Sequence, residues 1–167
     1  MAKIMKLKDS RRIFIDTLCE LAKNDDKVIL IICDTGFNYI EKFQKKYPKR
    51  FFNFGVTEQS SMIIASAMAL AGYKPWIYSM INFMVFRPYE MVRNAVCMHN
   101  ANVKIVGVKG SEKYKFLGFS HNLISENEDF DVLKNLPIRL FHPQSLESIP
   151  SDIKLMYEDT KPCYIRL

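Results

Sequence analysis

Three short segments of this chain carry residue types that could do chemistry together. In "FFNFGVTEQSSM" (51–62), Glu58 follows Gly55-Val56-Thr57 and heads a run rich in Met, Ile and Ala that continues to Ala71. A carboxyl group opening so apolar a helix is either an ordinary first-turn acid, which the helix dipole favours, or a shielded acid able to share a proton. In "FMVFRPY" (83–89), Phe83, Phe86 and Tyr89 recur at every third position. On a helix or in a turn they would share one face and could wall an aromatic pocket. In "LGFSHN" (117–122), a glycine-containing stretch carries His121 after a long connection, and long connections inside compact domains are often functional. Singly, each segment has an ordinary reading: a helix cap, core aromatics, an exposed loop histidine.

The elements that must position these residues follow from periodicity. "DSRRIFIDTLCELAKND" spaces Ile13, Phe14, Leu18 and Leu21 as an amphipathic helix with Asp9 or Ser10 as N-cap. "KVILIICDTG" is a continuous apolar run closed by turn residues, the pattern of a strand buried on both faces. Further strands are expected over "RFFNFG", "KPWIYS", "NVKIVGVKG", "IRLFHP" and "PCYIRL". Helices are expected over "FNYIEKFQKKYP", "TEQSSMIIASAMALAG" (Gly72 as C-cap), "RPYEMVRNAVCMHN", "NEDFDVLKNLP" and "SLESIPSDIKLMYED". About six strands separated by helices imply a three-layer α/β/α fold with a mainly parallel sheet, as one domain over residues 1–167. In such sheets the reactive positions lie just past the carboxyl ends of the strands. Here those positions are 34–36, 55–58, 79–89 and 109–121, and all three segments fall among them.

Composition narrows the function classes. Apolar residues make up 49% and charged residues 25%, as in soluble globular proteins. No apolar run approaches the roughly 20 residues that span a bilayer, and "MAKIMKLKDSRR" lacks the apolar core of a secretory signal. A cytoplasmic location without a membrane partner is expected. Cys19, Cys33, Cys97 and Cys163 lie far apart in apolar surroundings, which points to buried free thiols; neither they nor His99, His121 and His142 show ligand spacing for a metal. The net charge is +6, with lysines clustered at 45–50 and 108–115. The aromatics do not interleave with these basic residues, so the lysines read as solvated surface and no nucleic-acid partner is expected.

Taken together, the segments resemble the pyrimidine-binding domain of transketolases and related thiamine diphosphate enzymes, from about Asp9 to the C-terminus. "FGVTEQSSMIIASAMALAGYKPWIYS" is similar to the family's F-G-(I/V)-x-E-(Q/H) segment and the helix and strand after it. "FMVFRPYEMVRNAV" resembles its F-x-x-F-x-x-Y pattern, and "GFSHNLISENEDFDVLKNLP" its G-x-(S/T)-H segment followed by acids and L-x-x-(I/L)-P. The resemblance implies that Glu58 hydrogen-bonds a ring nitrogen of the cofactor's aminopyrimidine and promotes the tautomer that deprotonates the thiazolium carbon. It further implies that Phe83, Phe86 and Tyr89 pack around the pyrimidine, with Phe86 stacking on it. His121 would contact the donor sugar near the reacting carbon, Arg11 a substrate phosphate, and Asp34 the cofactor.

Departures from the pattern bear on specificity. The family acid four residues before the histidine is Leu117 here, and a loop histidine is replaced by Lys109, which could still meet a phosphate as a point charge. The sequence ends at Leu167, before the position of a phosphate-binding arginine, and contains no Gly-Asp-Gly, the family's mark of a diphosphate-binding domain. By family architecture the expected protein is one half of a split enzyme, inactive alone. A separate diphosphate-binding subunit would hold Mg2+ or Ca2+, in a heterotetramer of two copies of each chain. The expected reaction transfers a two-carbon ketol unit between sugars or sugar phosphates. A split 2-oxo acid decarboxylase and a non-catalytic structural partner stand as alternatives.

Overall fold

The computed structural model describes residues 9–110 and 112–167; the basic N-terminal residues 1–8 and Ser111 lie outside the described residues. The first helix, α1 (Ser10–Asn24), opens at Asp9, whose carboxylate accepts the Arg11 backbone N–H at 2.9 Å. This satisfies one of the donors that a helix start leaves without a partner. Among the described residues six strands follow: β1 (Val28–Ile32), β2 (Phe51–Asn53), β3 (Lys74–Met80), β4 (Lys104–Val108), β5 (Arg139–Phe141) and β6 (Cys163–Arg166). They form one sheet in the order β2-β1-β3-β4-β6-β5, and every pairing is parallel.

Alternation along the strands builds the three layers. Val28, Leu30 and Ile32 of β1 join Phe14, Leu18, Phe43 and Met156 in one core cluster, while Ile29 and Ile31 join Met62, Ala65, Val92 and Val96 in a second on the opposite face. The first face is covered by α1, by α2 (Glu41–Lys46) and, later in the chain, by the helix Ile149–Glu158. The second is covered by α3 (Glu58–Leu70) and the segment after β3. All four cysteines are buried and free.

The helix expected over 87–100 differs most. It begins at Asn82 as a π turn (Asn82–Phe86), passes through a short α4 (Tyr89–Met91), and widens again over Val92–Cys97. The Arg87 N–H donates to the Asn82 carbonyl at 3.2 Å and that of Met98 to Arg93 at 3.1 Å, both five residues back. A π turn rotates less per residue than an α turn, so residues three apart do not share a face. The connection after β4 is likewise structured: residues Glu112–Ser120 run as 3-10 turns broken at Gly118. The fold closes with α5 (Glu128–Leu133), β5, α6 (Ile149–Glu158) and β6. Among the described residues no helix is long and apolar enough to cross a membrane.

Candidate active site

Parallel strands bring all their carboxyl ends to one edge of the sheet. Connections leave β1 toward β2 and β3 toward β4, in opposite directions, and this reversal opens a crevice between them. A cleft of about 500 Å3 lies there, lined from α1, the β1 and β2 loops, the ends of β3 and β4, the first π turn and the 3-10 segment. The β1 loop can cross its floor because residue 36 is glycine: its φ is +87°, and a Cβ would come within 2.7 Å of the Tyr78 ring. Asn53 braces the two neighbouring loops. Its amide oxygen accepts the backbone N–H of Asp34 and of Gly55, each at 3.0 Å.

Glu58 is the first residue of α3 and is 1% exposed, so it is not a surface cap. Thr57 precedes it without capping the helix; its hydroxyl donates to the Phe54 carbonyl instead. One carboxylate oxygen, Oε2, accepts from Arg87 Nη1 at 2.7 Å. The other, Oε1, is buried without a hydrogen-bond partner. Buried polar atoms are almost always paired, and this one belongs to a residue lining the cleft. Phe83 lines the same cleft, with the Arg87 guanidinium 4.2 Å from its ring centroid and the His121 ring edge-on at 5.0 Å. Ser120 Oγ lies 2.8 Å from His121 Nδ1 and fixes the ring's orientation.

Of the sequence-predicted residues, the structure brings Glu58, Phe83, His121, Asp34, Arg11 and Lys109 to this cleft. Phe86 and Tyr89 are not among its lining residues, and Phe86 packs instead against the second core cluster. Of these three aromatics Phe83 lines the cleft, and the π turn over Asn82–Phe86 separates its face from those of the later two. The cleft's three principal cations are already paired. Arg87 holds Glu58, Lys109 Nζ donates to both Glu126 oxygens at 2.8 Å, and Arg11 binds Asp9 at 2.7 Å while lying 4.3 Å from the Tyr39 ring centroid. Hydrogen bonds from Arg11 hold the Asp9 carboxyl down at about 2. Burial pushes the Cys33 thiol, also in the lining, up to about 11. Among the described residues no three His, Cys, Asp or Glu side chains converge as a metal site.

Sequence reasoning missed Arg87 and Asn53. Arg87 had a signal: a shielded carboxylate needs a counter-ion, and a lone arginine sits inside the aromatic segment. The sequence profile of the transketolase pyrimidine-binding domain matches residues 7–167. This chain belongs to that family. Within the transketolase pyrimidine-domain family it is 30% identical over 159 residues to one subunit of the apulose-4-phosphate transketolase of Phocaeicola vulgatus, covering 94% of this chain and 50% of that one. It is 29% identical over 162 residues to the putative transketolase C-terminal section of Methanocaldococcus jannaschii, covering 96% and 50%. A solved split-gene transketolase, described as an inactive β4 tetramer, superposes with a TM-score of 0.83 at 29% identity, covering 95% of this chain and 50% of that one. The chain thus spans about half the length of these relatives.

Proposed function

We propose that this chain is the pyrimidine-binding part of a split thiamine diphosphate-dependent transferase of the transketolase type, moving a two-carbon ketol unit between sugars. The observation that carries the reading is Glu58 Oε1, a buried acceptor without a partner at the edge of an aromatic-lined cleft. The residues present fit the cofactor's aminopyrimidine: Oε1 would accept from its ring edge, and Phe83 offers the aromatic face. When bound, thiamine diphosphate supplies an electron sink for the carbanion left as a carbon–carbon bond beside a carbonyl breaks. Glu58 orients that ring edge and exchanges a proton with it at Oε1. His121, held by Ser120, serves the donor sugar's oxygens, and Arg11 and Lys109 would meet an anionic substituent at the mouth by exchanging their present partners, Asp9 and Glu126, for it. Asp34, just past the end of β1, lines the same cleft and would contact the cofactor there.

The diphosphate and its Mg2+ or Ca2+ are assigned to a separate subunit, and two copies of each chain to a heterotetramer. Ile63, Ile64 and Leu70 on the outward face of α3 are exposed apolar residues available to such an assembly. Four buried free thiols suit a reducing, cytoplasmic compartment. The test is calorimetric titration of thiamine diphosphate and magnesium into this chain, alone and mixed with the candidate diphosphate-binding chain. Binding only in the mixture, lost in Glu58→Ala, is expected; binding that survives Glu58→Ala would refute the assignment.

A further inference from the structure

Arg87 ties together the two elements that carry the acid and the ring. Its Nη1 donates to Glu58 Oε2 at 2.7 Å, its guanidinium lies 4.2 Å from the Phe83 centroid, and its carbonyl accepts from the amide of Gln59, the residue after Glu58, at 3.2 Å. Its own N–H closes the π turn onto Asn82 at 3.2 Å. One residue thus fixes the start of α3 against the first π turn, and π turns recur at functional sites where a side chain must be re-aimed. Glu58 has 1% of its side chain exposed and Arg87 has 40%, so the cation bridges the buried acid to the open cleft.

The consequence concerns which oxygen is left and what it will accept. A carboxylate has acceptor capacity only. With Oε2 engaged in a charge-assisted bond, Oε1 is the atom left to meet a ligand, and it is satisfied only by an edge that brings a hydrogen. We propose that Arg87 is a positioning residue: by holding Oε2 it sets the orientation of the Glu58 carboxylate and leaves Oε1 as the acceptor for the ligand's ring edge. This inference rests on the cofactor reading above and adds the residue that orients Glu58, with Phe83 as the face on which the ring lies. Arg87 needs no contact with the ligand to do this; it acts through Glu58 and Phe83.

The test has two arms. The first needs neither ligand nor partner: urea unfolding of wild type, Arg87→Ala, Glu58→Gln and the double variant. Arg87→Ala strands a buried carboxylate, so its midpoint loss is expected to shrink sharply when Glu58→Gln is also present. Strictly additive effects would overturn the proposal. The second arm titrates the chain, mixed with its diphosphate-binding partner, with thiamine diphosphate and with an analogue whose ring nitrogen opposite Glu58 is replaced by C–H. Arg87→Ala is expected to weaken the natural cofactor by about tenfold or more. It should leave the analogue within about twofold, with partial rescue by Arg87→Lys. Equal losses for both ligands would make Arg87 a structural residue only and refute its positioning role. If wild type binds neither ligand, the cofactor reading fails, while the unfolding cycle still decides whether Arg87 holds Glu58.

Discussion

Removing Asp129 should cost more stability than any other single change at the carboxyl edge of the sheet. Asp129 opens α5 and has no exposed surface. Its Oδ1 accepts from Arg166 Nη1 at 3.1 Å and its Oδ2 from the Tyr164 hydroxyl at 2.5 Å. Burial and the adjacent carboxylate push the Tyr164 hydroxyl well above its ordinary value, so it stays a donor throughout the working pH range. Breaking a buried ion pair by deleting one partner costs about 3–5 kcal/mol. Arg166 keeps two other partners, the Glu126 carbonyl at 2.5 Å and His142 Nε2 at 2.9 Å, which places Asp129→Ala toward the lower end of that range. The stranded tyrosine hydroxyl adds about 1 kcal/mol, giving roughly 4 kcal/mol in all. With a urea slope of about 2 kcal/mol per molar, the midpoint should fall by roughly 2 M. Asp129→Asn should lose less than Asp129→Ala, since its amide oxygen can still accept from Arg166 while its NH2 meets the Tyr164 hydroxyl, which can accept as well as donate. Adding Tyr164→Phe should therefore recover about 1 kcal/mol of the loss in Asp129→Ala, by removing the stranded hydroxyl, and little in Asp129→Asn. A fall below about 1 kcal/mol for Asp129→Ala would refute the reasoning, because so small a cost is that of a solvated pair.

Other outcomes follow from the same geometry. Asp9 is held at about 2 by Arg11, below its ordinary value, so its contribution is fully present above about pH 4 and is lost as pH falls through 2. Acid titration of stability should show Asp9→Asn weaker than wild type by on the order of 1 kcal/mol at neutral pH, with the two curves merging near pH 2. A Cβ on Gly107 would meet the Tyr164 hydroxyl at 2.7 Å and ring carbon Cε2 at 2.9 Å, so Gly107→Ala should destabilise by about 1–3 kcal/mol in urea unfolding. Phe83→Ala should weaken thiamine diphosphate in the assembled complex by about tenfold while Phe86→Ala lowers the unfolding midpoint and leaves that affinity nearly unchanged, as the lining of the cleft requires. Equal effects of the two on affinity would contradict the placement of the first π turn.

Local chemistry made much of this protein legible in one dimension. A short, β-branched apolar run such as "VILII" closed by turn residues suits a strand covered on both faces, and strands that alternate with helices favour parallel pairing with their carboxyl ends together, as the sheet shows. That placed Glu58, Phe83, His121, Asp34 and Lys109 at one edge, whereas Arg11, on the first helix, came only from the family resemblance. The helix cap at Asp9 was readable from neighbours a few residues away, whereas the local sequence left Glu58 open between a surface cap and a shielded acid, and the resemblance and its burial chose the second.

What pairs with what was decided only in three dimensions. Glu58 and Arg87 are 29 residues apart, and Asp129 and Arg166 are 37 apart; nothing local to either member reveals its partner. The two π turns were hidden as well, because the same residues suit an α-helix, and the wider turn is favoured here only where tertiary contacts such as the one from Arg87 to Glu58 reward it. That one change of pitch separates Phe83 from Phe86 and Tyr89. Periodicity reports which residues can share a face under an assumed pitch, whereas packing sets the pitch itself.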